Sequence, residues 1–408
     1  MFKRNIKPVL EKALKRSPIV LLNGARQVGK STLAKELLKE GGFNYLTFDD
    51  ETVYLAAKSD PTSFIENIQK PVIIDEVQRV PELFLPIKKD IDNNRVPGRY
   101  LLTGSANPLL IPRLGDSLAG RMEIIDLMPL SQGEILGITE TFIDTAFSDK
   151  PFKCPKKTLS KKELYHKVLV GGYPSVQGGD EEAVEAWMRS YINLLLQRDI
   201  KDLAQIEKLT ELPNLLRVLA FRTSNLLNVA EVSREMKMVA PTVHRYIALL
   251  ETIFIISLQL SWHTNLGLRF IKSPKVFFID SGLLAYLLGI NMERALIDSM
   301  QMGKVLENFI VGELKKQATW SKIKPEIHHL RTFEGKEVDI ILEDRTGKIV
   351  GIEIKSGASV NASAFKGLKY LQEKVPDKLV KGIVLYGGSE CVPFGKNMFA
   401  LPINVLWE

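Results

Sequence analysis

Gly24-Ala25-Arg26-Gln27-Val28-Gly29-Lys30-Ser31 fits GxxxxGK[ST] at every fixed position, with Thr32 following it. The residue types fit phosphate binding. The glycines let backbone N–H groups curl around an anion, and a following helix N-terminus adds its positive dipole end. Lys30 would reach the β- and γ-phosphates, and the Ser31 hydroxyl would hold Mg²⁺. Some 45 positions on, Val72-Ile73-Ile74-Asp75-Glu76 carries two adjacent carboxylates at the end of an apolar run. Asp75 fits as the Mg²⁺ partner of Ser31, and Glu76 as the base that orients water for attack on the γ-phosphate. A third run, Tyr100 to Gly104, ends in small polar residues. There Ser105 stands at the tip, with Thr103 and Asn107 beside it. No guanine-reading NKxD sequence stands in a fitting place, which favours ATP.

A second group of reactive residues lies near the C-terminus. Asp339 sits in Glu337-Val338-Asp339-Ile340-Ile341-Leu342, and Glu353 and Lys355 sit in Ile352-Glu353-Ile354-Lys355. Side chains alternate along a strand, so Glu353 and Lys355 share a face. Glu307 lies on a helix expected over 305–316. Carboxylates in this arrangement suit metal-assisted phosphodiester hydrolysis: Glu307, Asp339 and Glu353 as ligands of Mg²⁺, Lys355 steadying the water or the developing charge. Charges that interrupt apolar strands are costly unless compensated, so a plain solvated hairpin fits less well. His328 and His329 show no metal-ligand spacing and are expected on a surface strand.

These residues need elements to position them. Strand-like runs at 18–24, 44–50, 71–76, 99–105 and 122–128 alternate with helical stretches, which predicts a parallel sheet covered on both faces. An amphipathic helix is expected over 1–16. The Lys-, Thr- and Pro-rich stretch 141–162 reads as a linker or surface loop. Helical patterns fill 163–251. Within 226–250 two short helices, about 229–237 and 241–250, flank a turn with Pro241 at a helix start. That is the outline of a helix-turn-helix with Thr242, His244 and Arg245 near its exposed start, and 253–259 with a later strand would form a wing. A second α/β block runs from about 305 almost to the end.

The order strand–GxxxxGKS–helix, IIDE, LLTGS resembles the AAA+/STAND-like P-loop ATPases over about residues 15–135. The resemblance implies that the third run lies between the strands bearing the loop and the acidic pair, and that its polar tip senses the γ-phosphate, with Ser105 as the candidate and Thr103 and Asn107 as its neighbours. An arginine supplied in cis or in trans is also expected to stabilise transition-state charge. Arg121 is the first candidate; Arg113, Arg26 and Arg198 are others. Asp339, Glu353-x-Lys355 and Glu307 resemble the PD-(D/E)XK nuclease core, although Val338 stands where that pattern has proline. GARQVGKST, IIDE, LLTGSAN, GGYP, KVFFIDSGL and EVDIILE…IEIKSG together resemble a prokaryotic family: an AAA+-type ATPase, a winged helix, then a C-terminal domain of restriction-endonuclease-like character.

The fold class expected is therefore α/β, with a P-loop ATPase domain over 1–140, a helical and winged-helix region over 141–265, and an α/β nuclease-like domain over 266–408. The resemblance implies an archaeal or bacterial origin and a cytoplasmic location but no settled biological role; the first reading is an ATPase using ATP and Mg²⁺ and acting on or near DNA or another nucleic acid, with ATP occupancy switching the other domains. The rival reading is a signalling or scaffold NTPase whose C-terminal domain binds a protein partner and no longer cleaves.

Composition agrees with an ordered chain. Of 408 residues, 45% are hydrophobic and 25% charged, which excludes disorder and collagen-like structure. Cys154 and Cys391 form no CxxC pair or framework, which suits a reducing compartment. Lys and Arg exceed Asp and Glu by 55 − 48 = 7, which permits a polyanion partner. The most apolar stretches, 252–260 and 276–290, fall short of the roughly 18–20 residues a spanning helix needs. No membrane insertion is expected.

Overall fold

The computed structural model describes residues 1–105, 118, 120–196, 211–265, 267, 269, 272–332 and 334–408, with the side chains of 39–41 left aside. The chain forms two compact units: Met1–Pro129 with Thr252–Ile255, and Leu130–Glu251 with Ile256–Glu408.

In the first unit, five short strands form one all-parallel sheet: β1 Ile19–Asn23, β2 Asn44–Thr47, β3 Val72–Asp75, β4 Tyr100–Gly104 and β5 Met122–Asp126. Their order is β2-β3-β4-β1-β5. Every residue of β1, β3 and β4 is buried, as expected where helices cover both faces. Ile19, Leu21, Val72, Ile74, Tyr100 and Leu102 pack against Phe84, Ile87 and Ile91 of helix α3, Phe84–Asn93. Truncating one of these, such as Leu102→Ala, would cost about 2–5 kcal/mol. Of the other helices, α1 covers Lys7–Leu14 and α2 covers Lys30–Gly41.

The parallel register lines up the strand ends. Asn23 lies beside Gly104, and Ile74 beside Leu102, so Asn23, Asp75 and Gly104 finish along one edge. The expected insertion of the third run between the other two is what the sheet shows, since β4 pairs with both β1 and β3.

The second unit contains a six-stranded mixed sheet of β8 Glu326–Arg331, β9 Glu337–Glu343, β10 Ile349–Lys355, β11 Leu379–Tyr386, β12 Val392–Gly395 and β13 Met398–Pro402. The order is β12-β13-β11-β10-β9-β8. β8, β9 and β10 run as an antiparallel meander, and β10 then pairs in parallel with β11. The β9–β10 turn is held by the Asp344 carboxylate, which accepts from Thr346 N at 2.8 Å and Lys348 N at 2.9 Å. Helix α6, Ser299–Trp320, precedes the meander. It starts earlier than the expected 305 because Asp298 caps it, accepting from Gln301 N. Helix α7, Lys366–Lys374, joins β10 to β11. It lies close on the sheet because Gly351 has no side chain: a Cβ there would stand 2.7 Å from Leu368 Cδ2.

The middle residues form helices α4 Val229–Met236 and α5 Ala240–Thr252, close to the expected pair. Asn228 caps α4, and Lys237 ends it with a left-handed backbone. His244 and Arg245 are exposed, while Val243, Tyr246 and Ile247 are buried. β6 Ile256–Gln259 then pairs antiparallel with β7 Lys275–Phe278, and Leu226 bridges to Lys275.

Three expectations need correction. The 141–162 stretch is not a free linker: Phe142 and Ile143 are buried, and Phe152 stacks on Phe142 and meets Phe399 edge-on. Cys154 and Cys391 are joined as a disulfide; at a Cα separation of 5.9 Å they are within bridging reach. Spacing could not reveal it, because they are 237 positions apart. His328 and His329 are buried, at 4% and 1% exposure, because the stretch around Gln259 and Ser261 covers β8: His329 Nδ1 lies 3.1 Å from Gln259 O.

Candidate functional sites

Each unit brings reactive side chains singled out in the sequence close together. In the first, the chain leaves β1 through Gly24 and enters α2 at Lys30. The loop between them needs backbone conformations that side chains resist. Gly24 has φ 150°, Gln27 φ 59° and Gly29 φ 98°. A Cβ on Gly24 would stand 2.2 Å from Leu127 O, so no other residue fits there. The loop is also held from outside. Arg4, almost fully buried, donates to Val28 O and to Met128 O, each at 2.6 Å. Lys30 Nζ donates to Gly24 O at 2.9 Å and Ala25 O at 2.7 Å, resting on the carbonyls of the loop it serves.

Asp75 is the hub. It accepts from Ser31 Oγ at 3.1 Å, from the Tyr45 hydroxyl at 2.6 Å and from Thr103 Oγ1. Burial, with the bond to Asp75, pushes the Tyr45 phenol well up, so it stays a donor. Thr103 Oγ1 also accepts from Glu76 N at 3.1 Å, tying β4 to the acidic pair. Glu76 turns off the strand with a left-handed backbone, φ 59°. Its carboxylate accepts from Gln78 Nε2 and from Ser105 Oγ, the latter at 3.3 Å. Gln78 Nε2 also donates to Ser105 Oγ at 3.0 Å. Gln78 Oε1 is buried and, among the described residues, meets no donor.

Glu76, Ser105, Thr103, Asp75 and Ser31 are thus one connected network beside the loop. Arg121 is not part of it. It precedes β5, whose Met122 pairs with Ile19 at the opposite end of β1, and it binds Asp92 Oδ1 at 2.5 Å. Five strand residues separate that end from the loop, roughly 16 Å at the usual rise. The strand register thus places Arg121 at the end of the sheet away from its own chain's loop. Asn107, Arg113 and Arg198 lie outside the described residues. Gln78, Tyr45 and Arg4 were missed by sequence reasoning. Only Gln78, two positions past the acidic pair, had a local signal.

In the second unit Glu307 from α6, Asp339 from β9, and Glu353 with Lys355 from β10 converge. Asp339 Oδ2 accepts from Ile354 N at 2.9 Å, locking β9 to β10 where their ladder ends. Lys355 Nζ lies 3.2 Å from Glu353 Oε2. Burial pushes Glu353 up to about 8, with the charge of Asp339 adding to it and Lys355 opposing. Burial likewise pushes Glu307 up to about 8, Asp339 again adding and Lys275 opposing. Asp339 itself is raised by burial against the pull of Lys275.

Two further members were not foreseen. Lys275, in β7 and 2% exposed, places Nζ 3.0 Å from Glu307 Oε1 and 2.9 Å from Glu337 Oε1. Burial alone would lower this ammonium, but Glu307, Asp339 and Glu337 together hold it well above an ordinary lysine. Glu337 stands two positions before Asp339 on the same face of β9, so strand alternation could have found it. Lys275 had no such signal.

The chain matches the family described as AAA domain over residues 16–136. Two domains of unknown function follow: DUF8612 over 161–294 and DUF4143 over 302–406. It is 30% identical over 399 residues to the uncharacterized proteins Rv2008c of Mycobacterium tuberculosis and Mb2031c of Mycobacterium bovis, spanning 97% of this chain and 82% of each relative. Among solved structures it is similar to the Walker-type ATPase paby2304 of Pyrococcus abyssi (16% identity, 71% of this chain and 96% of that one, TM-score 0.44). It is also similar to the RuvB Holliday junction branch migration motor of Thermotoga maritima (18% identity, 62% and 88%, TM-score 0.29).

Proposed function

Because the chain belongs to the family of the mycobacterial proteins Rv2008c and Mb2031c and carries an AAA-type P-loop ATPase domain, we propose that it hydrolyses Mg-bound ATP and acts on or near nucleic acid. The observation that carries the first half is the Ser31–Asp75–Thr103 network joined to Glu76 and Ser105. Two hard oxygen donors, Ser31 Oγ and Asp75 Oδ1, stand 3.1 Å apart beside the loop, which suits Mg²⁺. When bound, Mg²⁺ would neutralise charge on the β- and γ-phosphates.

The remaining steps belong to the chain's own residues. The backbone N–H groups of 24–32 cradle the phosphates, and Lys30 exchanges its carbonyl partners for the β/γ-phosphate oxygens. Glu76 accepts the proton of the attacking water, and Gln78 Oε1, which meets no donor among the described residues, offers that water a second acceptor. Ser105 touches both Glu76 and Gln78, so it can report the γ-phosphate to the water-positioning pair.

For the second half, the convergence of Glu307, Asp339, Glu353 and Lys355 around an antiparallel meander supports a nuclease-like site. In that reading Asp339 and Glu353 would hold a divalent cation, which would polarise a phosphodiester oxygen or a water. Helices α4 and α5, followed by the β6–β7 pair, support a winged helix that offers His244 and Arg245 to a partner.

The test is phosphate release from ATP with and without Mg²⁺, together with cleavage of single- and double-stranded DNA and RNA by wild type and Asp339→Ala. Mg²⁺-dependent hydrolysis and cleavage lost in the variant support the proposal. Hydrolysis without cleavage, and with no salt-dependent DNA affinity, would leave the scaffold reading instead.

A further inference from the structure

His329 is fixed by three hydrogen bonds and left with one ring atom unused. The β8–β9 register shifts between His328 and Leu330, so His329 falls at an irregularity of the ladder, a device that re-aims a side chain. Its main chain pairs with a remote stretch instead: His329 N donates to Leu260 O at 3.1 Å, and Trp262 N donates to His329 O at 2.6 Å. The ring follows, with Nδ1 3.1 Å from Gln259 O. A carbonyl only accepts, so Nδ1 carries a proton. Burial pushes the ring down to about 4, with the charge of Lys275 adding to it, so His329 is neutral and Nε2 is an acceptor. That atom is buried and, among the described residues, meets no donor. On a ring 1% exposed, such an acceptor is costly until a donor arrives.

The ring lines a cavity of about 370 Å³, a size that suits a small ligand. Around it stand Ser261, Lys272, Ser273, Arg331 and Thr332, and among the described residues no carboxylate lines it. Burial is graded across these residues. His329 and Ser261 are buried, Lys272 and Thr332 half-buried, Ser273 and Arg331 exposed. The cations thus stand toward the rim and the neutral acceptor toward the floor. Two positive charges in the wall against no negative one suit an anion, and the guanidinium fork matches a phosphate. A ligand that satisfies both ends carries a phosphate beside a hydrogen-bond donor. In the sugar–phosphate backbone of a nucleic acid that donor is the ribose 2′-hydroxyl, which deoxyribose lacks.

We propose that this cavity binds a ribose phosphate unit of an RNA strand, with Lys272 and Arg331 on the phosphate and His329 Nε2 accepting from the 2′-hydroxyl. The inference rests on the nucleic-acid reading and deepens it by naming the strand. A free ribose phosphate offers the same groups, so strand and monomer are tested apart.

The experiment is fluorescence anisotropy of the nucleotide-free full-length chain with short single strands of RNA and DNA of one sequence, for wild type, His329→Asn and Arg331→Gln. Asparagine keeps an N–H where Nδ1 meets Gln259 O and removes Nε2. Arg331 is exposed, so its variant remains informative if the buried change does not fold; a far-ultraviolet spectrum checks both. Wild type should bind RNA about fivefold or more tighter than DNA, and His329→Asn should erase that preference by weakening RNA alone. Arg331→Gln should weaken both strands and lower the salt slope by about 0.7. Ribose 5-phosphate should displace the RNA only in large excess. RNA bound no tighter than DNA, His329→Asn weakening both strands equally, or an unchanged salt slope in Arg331→Gln would each overturn the inference while leaving the nucleic-acid reading standing. His329-dependent binding of ribose 5-phosphate without binding of either strand would overturn the RNA assignment. No salt-dependent binding of either strand would overturn the inference and the nucleic-acid reading together.

Discussion

The two clusters hold their carboxylates with opposite kinds of partner. In the nucleotide-binding unit, Asp75 and Glu76 are met by neutral donors: Ser31, Thr103, Tyr45, Ser105 and Gln78. In the C-terminal unit, Glu307, Glu337 and Glu353 are met by the ammoniums of Lys275 and Lys355. Neutral donors orient a carboxylate and leave its charge for an arriving cation. Ammoniums use part of that charge before any ligand comes. On the proposed reading the first site is poised for a cation and phosphates that come and go together, while the second is a buried ionic cluster already partly neutralised by the protein's own ammoniums.

The contrast breaks or sharpens in measurable ways. The largest effect belongs to Lys30→Ala, which should lower ATP hydrolysis at least about 100-fold while the fold persists; phosphate release and a far-ultraviolet spectrum check both parts. Hydrolysis at the wild-type rate would remove the nucleotide half of the comparison.

Next comes stability in the other unit. Glu307→Ala strips one partner from a buried ammonium and should cost about 3 kcal/mol, seen as a lower denaturation midpoint. The double change Lys275→Met with Glu307→Gln should cost clearly less, because no charge is left stranded. If the double variant is worse, Lys275 is not held chiefly by Glu307.

A smaller effect is expected at the neutral donors. Ser105→Ala should reduce kcat about tenfold with little change in KM, in line with one hydrogen bond to a charged group. A matched loss in KM would make Ser105 a binding residue and not a sensor.

The smallest effect is a pH slope. Glu307 and Glu353 are pushed up to about 8 in the folded chain, above the ordinary carboxylate range. Their contribution to stability is full below about 4.5 and falls as pH rises through about 8, because ionising them in the folded state is unfavourable. Melting curves in chelator between pH 5 and 8.5 should show Tm dropping by about 2 °C or more as pH rises. Glu353→Gln should flatten that drop.

What was legible in the sequence follows the same division. The nucleotide site is built from strand tips, and its chemistry sits in short runs: Gly24 to Ser31 in one turn, Asp75 and Glu76 adjacent, Thr103 and Ser105 two apart. A parallel sheet then brings the tips together, so local pattern was enough. For Arg121, nearness in sequence to a strand says nothing about which end of the sheet it joins; the register of Met122 with Ile19 decides that. The second cluster draws on α6, β7, β9 and β10. Asp339 and Glu353 stood out as charges in apolar strands, but Lys275, 32 positions before Glu307, becomes its partner only through tertiary packing. The same holds for Cys154 with Cys391 and for the buried His328 and His329, whose covering segment is remote in sequence.

The most direct test of the account is ATP hydrolysis and ATP binding measured side by side for wild type and Glu76→Gln. The account predicts Mg²⁺-dependent hydrolysis by wild type. It also predicts a loss of about 100-fold or more in the variant, with nucleotide affinity kept within about threefold. Hydrolysis by Glu76→Gln at the wild-type rate would contradict it.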